Sequence, residues 1–205
     1  MSEEELNNIL DKVKDLFMRY GIKSVTMDDV SRELGISKKT LYQYVSNKED
    51  LVEKVLEYLH GQIDKRDKMC DTRDKNAIEI LMMVSDKVSY MMKNQNPSMQ
   101  YDLKKYYPEI FRKFYEIQRE EIYKSIISNI NKGKIEELYR DEVNPVLVAK
   151  LYLSRVVTIM DRDIFTEDEI RTPGFFLSIM ELHIRSLATS KGLKVLEEKL
   201  KAYNN

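Results

Sequence analysis

Apolar residues recur at intervals of three and four along almost the whole of this 205-residue chain. Leu6, Ile9, Leu10, Val13, Leu16 and Phe17 show it first, and it returns in "AIEILMMVSDKVSYMMK" and beyond. That period lays one apolar stripe along a helix, whereas a half-buried strand needs alternation, which is hard to find here. Breakers are scarce, with 6 Gly and 4 Pro in all. The spacing therefore predicts an all-α protein of about nine to ten helices.

Several function classes are disfavoured at once. Lys and Arg total 34 against 35 Asp and Glu, so a globally basic nucleic-acid coat is out, although a local basic patch is not. A single cysteine, Cys70, allows no internal disulfide and suits a reducing compartment. It lies in "DKRDKMCDTRDKN", a charged stretch read as a connection, and is taken as an incidental thiol. The opening "MSEEELNNIL" lacks the basic-then-apolar order of a secretion signal, and runs such as "ILMMV" are far too short for a bilayer. A cytoplasmic protein with no membrane partner is expected. His60 and His183 stand far apart, and no HExxH, phosphate-binding glycine loop or GxSxG appears. Hence no catalytic residue, metal or cofactor is expected.

The most informative stretch is "GISKKTLYQYVSNKEDL", residues 35 to 51. Before it, Gly21 ends a first helix, and Thr26, with Asp29 three residues on, opens a short one carrying Met27, Val30 and Leu34 inward. Gly35 follows as the bend, Ser37 caps the next helix, and Asn47 caps a fourth. Residues 26–45 thus have the layout of a helix-turn-helix, whose second helix enters the major groove with its first residues against base edges. With Leu41 and Val45 facing the core, Lys38, Lys39 and Tyr42 must face elsewhere. Lysine can donate to guanine or phosphate, and threonine can bond a base or touch a thymine methyl. The hydroxyls of Tyr42 and Tyr44 can reach phosphates. Lys48, in a first helical turn, is unfavourable there unless an anion binds, and Thr26 at another helix start is its counterpart. The DNA-binding set is therefore Thr26, Ser37, Lys38, Lys39, Thr40, Tyr42, Tyr44 and Lys48. A solvated Lys-Lys face on a protein-interaction module is the rival explanation of the same residues.

Residues from about 5 to 55 resemble the DNA-binding module of TetR-family (tetracycline-repressor-like) regulators, most clearly through "GIKSVTMDDVSRELGISKKTLYQYVSNKEDL" (21–51). Thr26, Gly35, Ile36, Ser37, Thr40, Leu41, Tyr42, Tyr44, Lys48, Glu49 and Leu51 occupy matching positions. Lys39 stands where glycine is common, Ser31 and Leu34 where alanines are usual, and Val45 in place of phenylalanine. The resemblance implies a three-helix DNA-binding domain over 1–55 and a helical effector and dimerisation domain over 56–205. It also implies a homodimer on a palindromic double-stranded DNA operator, most simply a repressor released by an unknown small molecule.

Beyond residue 59 no specific motif occurs. Helices are expected from Pro108 to near Gly133, from Asn144-Pro145 to about 160, from Thr172-Pro173 to about Thr189, and, after "SKG" breaks the pattern, from Leu193 to Tyr203. On the family's architecture, the second and third of these would pair with their copies as a four-helix bundle. Val146, Leu147, Leu151, Leu153 and Val157 would supply one surface; Phe175, Phe176, Ile179, Leu182 and His183 would supply the other. Met82, Met83, Met91 and Met92, with Tyr106, Phe111, Phe114 and Tyr115, could line an apolar effector pocket or simply fill a core.

Overall fold

Most helix starts in the computed structural model, which describes residues 3–69, 72–94, 97–159 and 164–203, fall where polar side chains serve unpaired backbone N–H groups. Eleven helices are present among those residues: α1 (Glu3–Tyr20), α2 (Met27–Leu34), α3 (Lys38–Leu41), α4 (Lys48–Met69), α5 (Ala77–Asn94), α6 (Pro97–Tyr106), α7 (Pro108–Ile135), α8 (Pro145–Ile159), α9 (Glu167–Arg171), α10 (Phe175–Leu187) and α11 (Ser190–Tyr203). The only β feature described is a lone bridge between Tyr139 and Ala188. The fold is all-α, as the periodicity requires.

Four boundaries differ from the sequence reading. The charged stretch after residue 63 continues α4 as far as Met69, because Lys, Arg and Asp without Gly or Pro do not stop a helix. The five-residue α9 has no periodic stripe to betray it; its signal is the Thr166–Glu169 capping box. Thr172 closes α9, and α10 starts only after Gly174, which sits at φ 84. "SKG" opens α11 instead of breaking a helix, since the Thr189 hydroxyl accepts from the Gly192 N–H at 3.1 Å. Cys70 lies outside the described residues.

The described chain packs as two units, residues 3–69 with 97–116, and residues 72–94 with 117–159 and 164–203. In the first, Val13, Phe17, Ile22, Val30, Leu41, Leu51, Val52 and Val55 share one core with Met99, Leu103 and Ile110. Packing therefore groups α6 and the first turns of α7 with α1–α4. Polar contacts reinforce this: Asp102 accepts the Lys23 backbone N–H at 2.8 Å, and Lys113 pairs with Glu53 at 2.6 Å.

In the second unit, Ile78, Leu81, Met82, Ile126, Ile130, Tyr139, Ile184 and Leu196 form the main core. Asn129, buried, donates to the Ala77 carbonyl at 2.8 Å and accepts from the Tyr139 hydroxyl at 3.3 Å, so neither polar group is stranded. His183 is also buried, edge-on to Tyr152, and its Nε2 has no hydrogen-bond partner among the described residues. Burial, with a smaller push from Arg155, holds its imidazole down at about 4.

Two stability predictions follow from this packing. Gly133 lies inside α7, where alanine would ordinarily gain about 1 kcal/mol. A Cβ there would overlap the Tyr139 ring, and overpacking of this kind costs about 1–3 kcal/mol. The clash should win: Gly133→Ala lowers the urea-unfolding free energy in the wild type and raises it in a Tyr139→Ala background. For His183 the folded value is depressed below the unfolded one, so its contribution is complete above about 6.5 and declines as pH falls towards about 4. The loss reaches up to about 3 kcal/mol, and His183→Leu should flatten the pH 6.5–5 slope of stability.

Candidate nucleic-acid interface

A four-residue helix cannot hold itself together, so α3 is defined by what brackets it. At its entrance, α2 ends with Gly35 at φ 66, and the Gly35 and Ile36 N–H groups close on the Arg32 and Ser31 carbonyls. No atom lies within 4 Å of a Cβ built on Gly35, so the backbone angle and not space calls for glycine. Ser37 then caps α3, accepting the Thr40 N–H at 3.0 Å, with the two hydroxyls 2.8 Å apart. Leu41 and Val45 are buried, which turns the opposite face outward.

On that outward face stand Ser37, Lys38 and Lys39, all exposed, with Thr40 half-buried beside them. Tyr42 is 48% exposed at the end of α3, while Tyr44 packs partly against the core. Thr26 caps α2 in a full capping box: it accepts the Asp29 N–H at 3.2 Å, and its own N–H and hydroxyl donate to Asp29 at 2.9 and 2.6 Å. These bonds hold the Asp29 carboxyl below the usual range. Asn47 accepts the Asp50 N–H at 2.9 Å and so caps α4. Lys48 lies across the turn before α2, half-buried, its Nζ donating to the Lys23 carbonyl at 3.2 Å. Burial pushes its ammonium down, against the pull of Asp102 and Asp29.

Two partners were invisible in the sequence. Lys38 pairs with Asp28 of α2 at 2.7 Å, and this carboxylate raises the lysine's affinity for its proton. Ten positions and a turn separate the two residues, a spacing that no helical or strand period marks. The Lys23 carbonyl that anchors Lys48 is a backbone atom and leaves no trace in residue type.

Residues 9–55 match the profile of "Bacterial regulatory proteins, tetR family". An HTH-type transcriptional regulator of Bacillus subtilis (strain 168), YvaF, is 25% identical over 160 residues, covering 78% of this chain and 83% of that one. The helix-turn-helix of residues 9–55 is that of the TetR family of bacterial regulators. The chain's fold is shared with a transcriptional regulator from Cytophaga hutchinsonii, at TM-score 0.72 and 18% identity over 91% of this chain and 100% of that one. CprB from Streptomyces coelicolor, solved in complex with its operator sequence, aligns at TM-score 0.64 and 20% identity over 95% and 94% of the two chains. The family and these relatives are regulators rather than enzymes.

Met82 is in the main core of the second unit with Met83 half-buried on the same helix. Met92 packs on a separate cluster of Ile159, Ile170 and Phe176, and Met91 is exposed. Tyr106, Phe111, Phe114 and Tyr115 belong to the first unit, where Phe111 and Phe114 pack on its core and Tyr106 and Tyr115 are exposed. Val146, Leu147, Leu151 and Val157 on α8 and Leu182 on α10 are exposed. Leu153, Phe175 and Ile179 are half-buried, whereas Phe176 and His183 are turned into the unit's own interior.

The Lys38–Asp28 pair generates a prediction. An exposed ion pair is readily exchanged for a phosphate, but Asp28 also opposes the approach of one. Asp28→Asn should tighten DNA binding about threefold near 150 mM salt and steepen the salt slope by about one unit. Unchanged binding in a fluorescence titration would mean Lys38 does not reach the duplex.

Proposed function

We propose that the protein is a homodimeric, ligand-responsive repressor of the cytoplasm, binding a palindromic operator through Thr26, Ser37, Lys38, Lys39, Thr40, Tyr42, Tyr44 and Lys48. One observation carries the reading: the amino end of α3 presents Ser37, Lys38 and Lys39 outward while Leu41 and Val45 are buried behind it. Major-groove reading needs a rod of this kind with donors at its tip. Lys38 and Lys39 select bases; Thr26, Tyr42, Tyr44 and Lys48 grip phosphates on either side.

The dimer rests on α8 and α10. Leu151 at 56% exposure and Leu182 at 69% leave large side chains in water, with Leu147 and Val157 close to them in exposure. A second copy would cover this apolar surface and bring two α3 helices to half-sites one DNA turn, about 34 Å, apart. Base reading lies before about residue 55, and effector binding and dimerisation lie after it. An apolar or amphipathic effector would enter among the methionines of α5 and change the mobility of the reading heads, a coupling of about 1–3 kcal/mol. No helix among the described residues is long and apolar enough to cross a membrane, in keeping with this role.

Selection from random DNA with the purified protein tests the reading. It should enrich a two-fold symmetric sequence, and Lys39→Ala should change the preferred base where Lys48→Ala weakens all sequences alike. Enrichment of no sequence, or of a single unrepeated half-site, would contradict it.

A further inference from the structure

Most lysines whose partners are clear in the first unit face carboxylates: Lys14 with Asp11, Lys38 with Asp28, Lys54 with Asp50, Lys113 with Glu53. A second set does not. Lys48 donates to the Lys23 carbonyl, Lys23 donates to the Tyr106 hydroxyl at 2.8 Å and lies 4.7 Å from the centre of that ring. Lys105 stands 5.5 Å from the same ring and 5.1 Å from that of Tyr101, whose hydroxyl accepts its Nζ proton at 2.8 Å. Lys23, Lys48 and Lys105 thus take neutral oxygens and ring faces as hydrogen-bond and ring partners, and among the described residues none of them is in ion-pair contact with a carboxylate. Of the two carboxylates that pull on Lys48, Asp102 is buried and engaged by the Lys23 backbone N–H, and Asp29 is engaged by the Thr26 backbone N–H and hydroxyl.

These groups form a continuous strip from the first turn of α4, over the turn between α1 and α2, to the end of α6. Its starting point, Lys48, is a phosphate contact in the function proposed above, and the inference rests on that reading. We propose that Lys23 and Lys105, with the hydroxyls of Tyr101 and Tyr106, continue this contact onto the DNA backbone flanking each half-site. Lysines neutralise phosphate charge, and phenol hydroxyls donate to phosphate oxygens. Tyr101 at 57% exposure and Tyr106 at 38% are open to such an approach. The hydrogen bond from Lys23, with a further contribution from Lys105, also holds the Tyr106 hydroxyl below its ordinary range, a mark of local positive potential. The strip carries no base-reading geometry, so its contribution is sequence-independent. It lengthens the footprint without altering the operator's preferred bases.

The test uses the full chain and the duplex enriched from random DNA, made in two lengths: the selected core alone, and the core with about ten extra base pairs on each side. On the long duplex, Lys23→Ala/Lys105→Ala should bind about tenfold more weakly near 150 mM salt, with a salt slope shallower by about two units. On the trimmed duplex it should match the wild type. Lys105→Glu, a change at an exposed position, is the second variant and should also lose affinity on the long duplex alone. If both variants bind the long duplex like the wild type while Lys48→Ala remains weakened, the strip does not touch DNA and the inference is overturned. If the wild type enriches no sequence, or Lys48→Ala too is without effect, the underlying reading fails and takes the inference with it.

Discussion

The orientation of α3 depends on burying Leu41 and Val45 beneath a helix of only four residues. Such a segment has no helical stability of its own, because nucleation is never recovered over so few hydrogen bonds. Burial of the Leu41 side chain supplies about 2 kcal/mol, and the Ser37 cap contributes about 1 kcal/mol more. Gly35 lets the chain reverse between α2 and α3 without a side chain in a left-handed conformation. Remove the apolar anchor and the polar residues at the tip lose their common direction, so recognition fails before any contact with DNA is considered.

The same core extends past the helix-turn-helix. Met99, Leu103 and Ile110 are part of it, so α6 and the first turns of α7 belong mechanically to the reading head. The rest of α7 belongs to the second unit, which makes this one helix a member of both. Electrostatics are divided in a similar way. Lys38 is held by Asp28, whereas Lys48 and Lys23 donate to neutral groups.

Where local chemistry decides structure, the sequence could be read directly. Thr26 with Asp29, Ser37 with Thr40, and Asn47 with Asp50 are contacts over three residues, and residue type announces them. Gly35 is equally plain, because few other residues adopt its backbone angle at little cost. Failures came where a distant partner redefined a residue. Gly192 looks like a breaker, yet it is small because the Leu138 carbonyl passes close by, and Thr189 caps the helix that includes it. Lys38 looks like a free cation until α2 folds beside it with Asp28. The methionines of α5 and the aromatics of α6 and α7 are neighbours in sequence and belong to different packing units, a separation that helical spacing cannot express.

Chemical interference on the enriched duplex tests the central claim most directly. Dimethyl sulfate methylates guanine N7 in the major groove and adenine N3 in the minor groove. If the tip of α3 reads the major groove, methylated guanines within each half-site should be depleted from the bound fraction and methylated adenines retained. Interference from adenine N3 alone, or from neither base, would show that the outward face of α3 is not the reading surface.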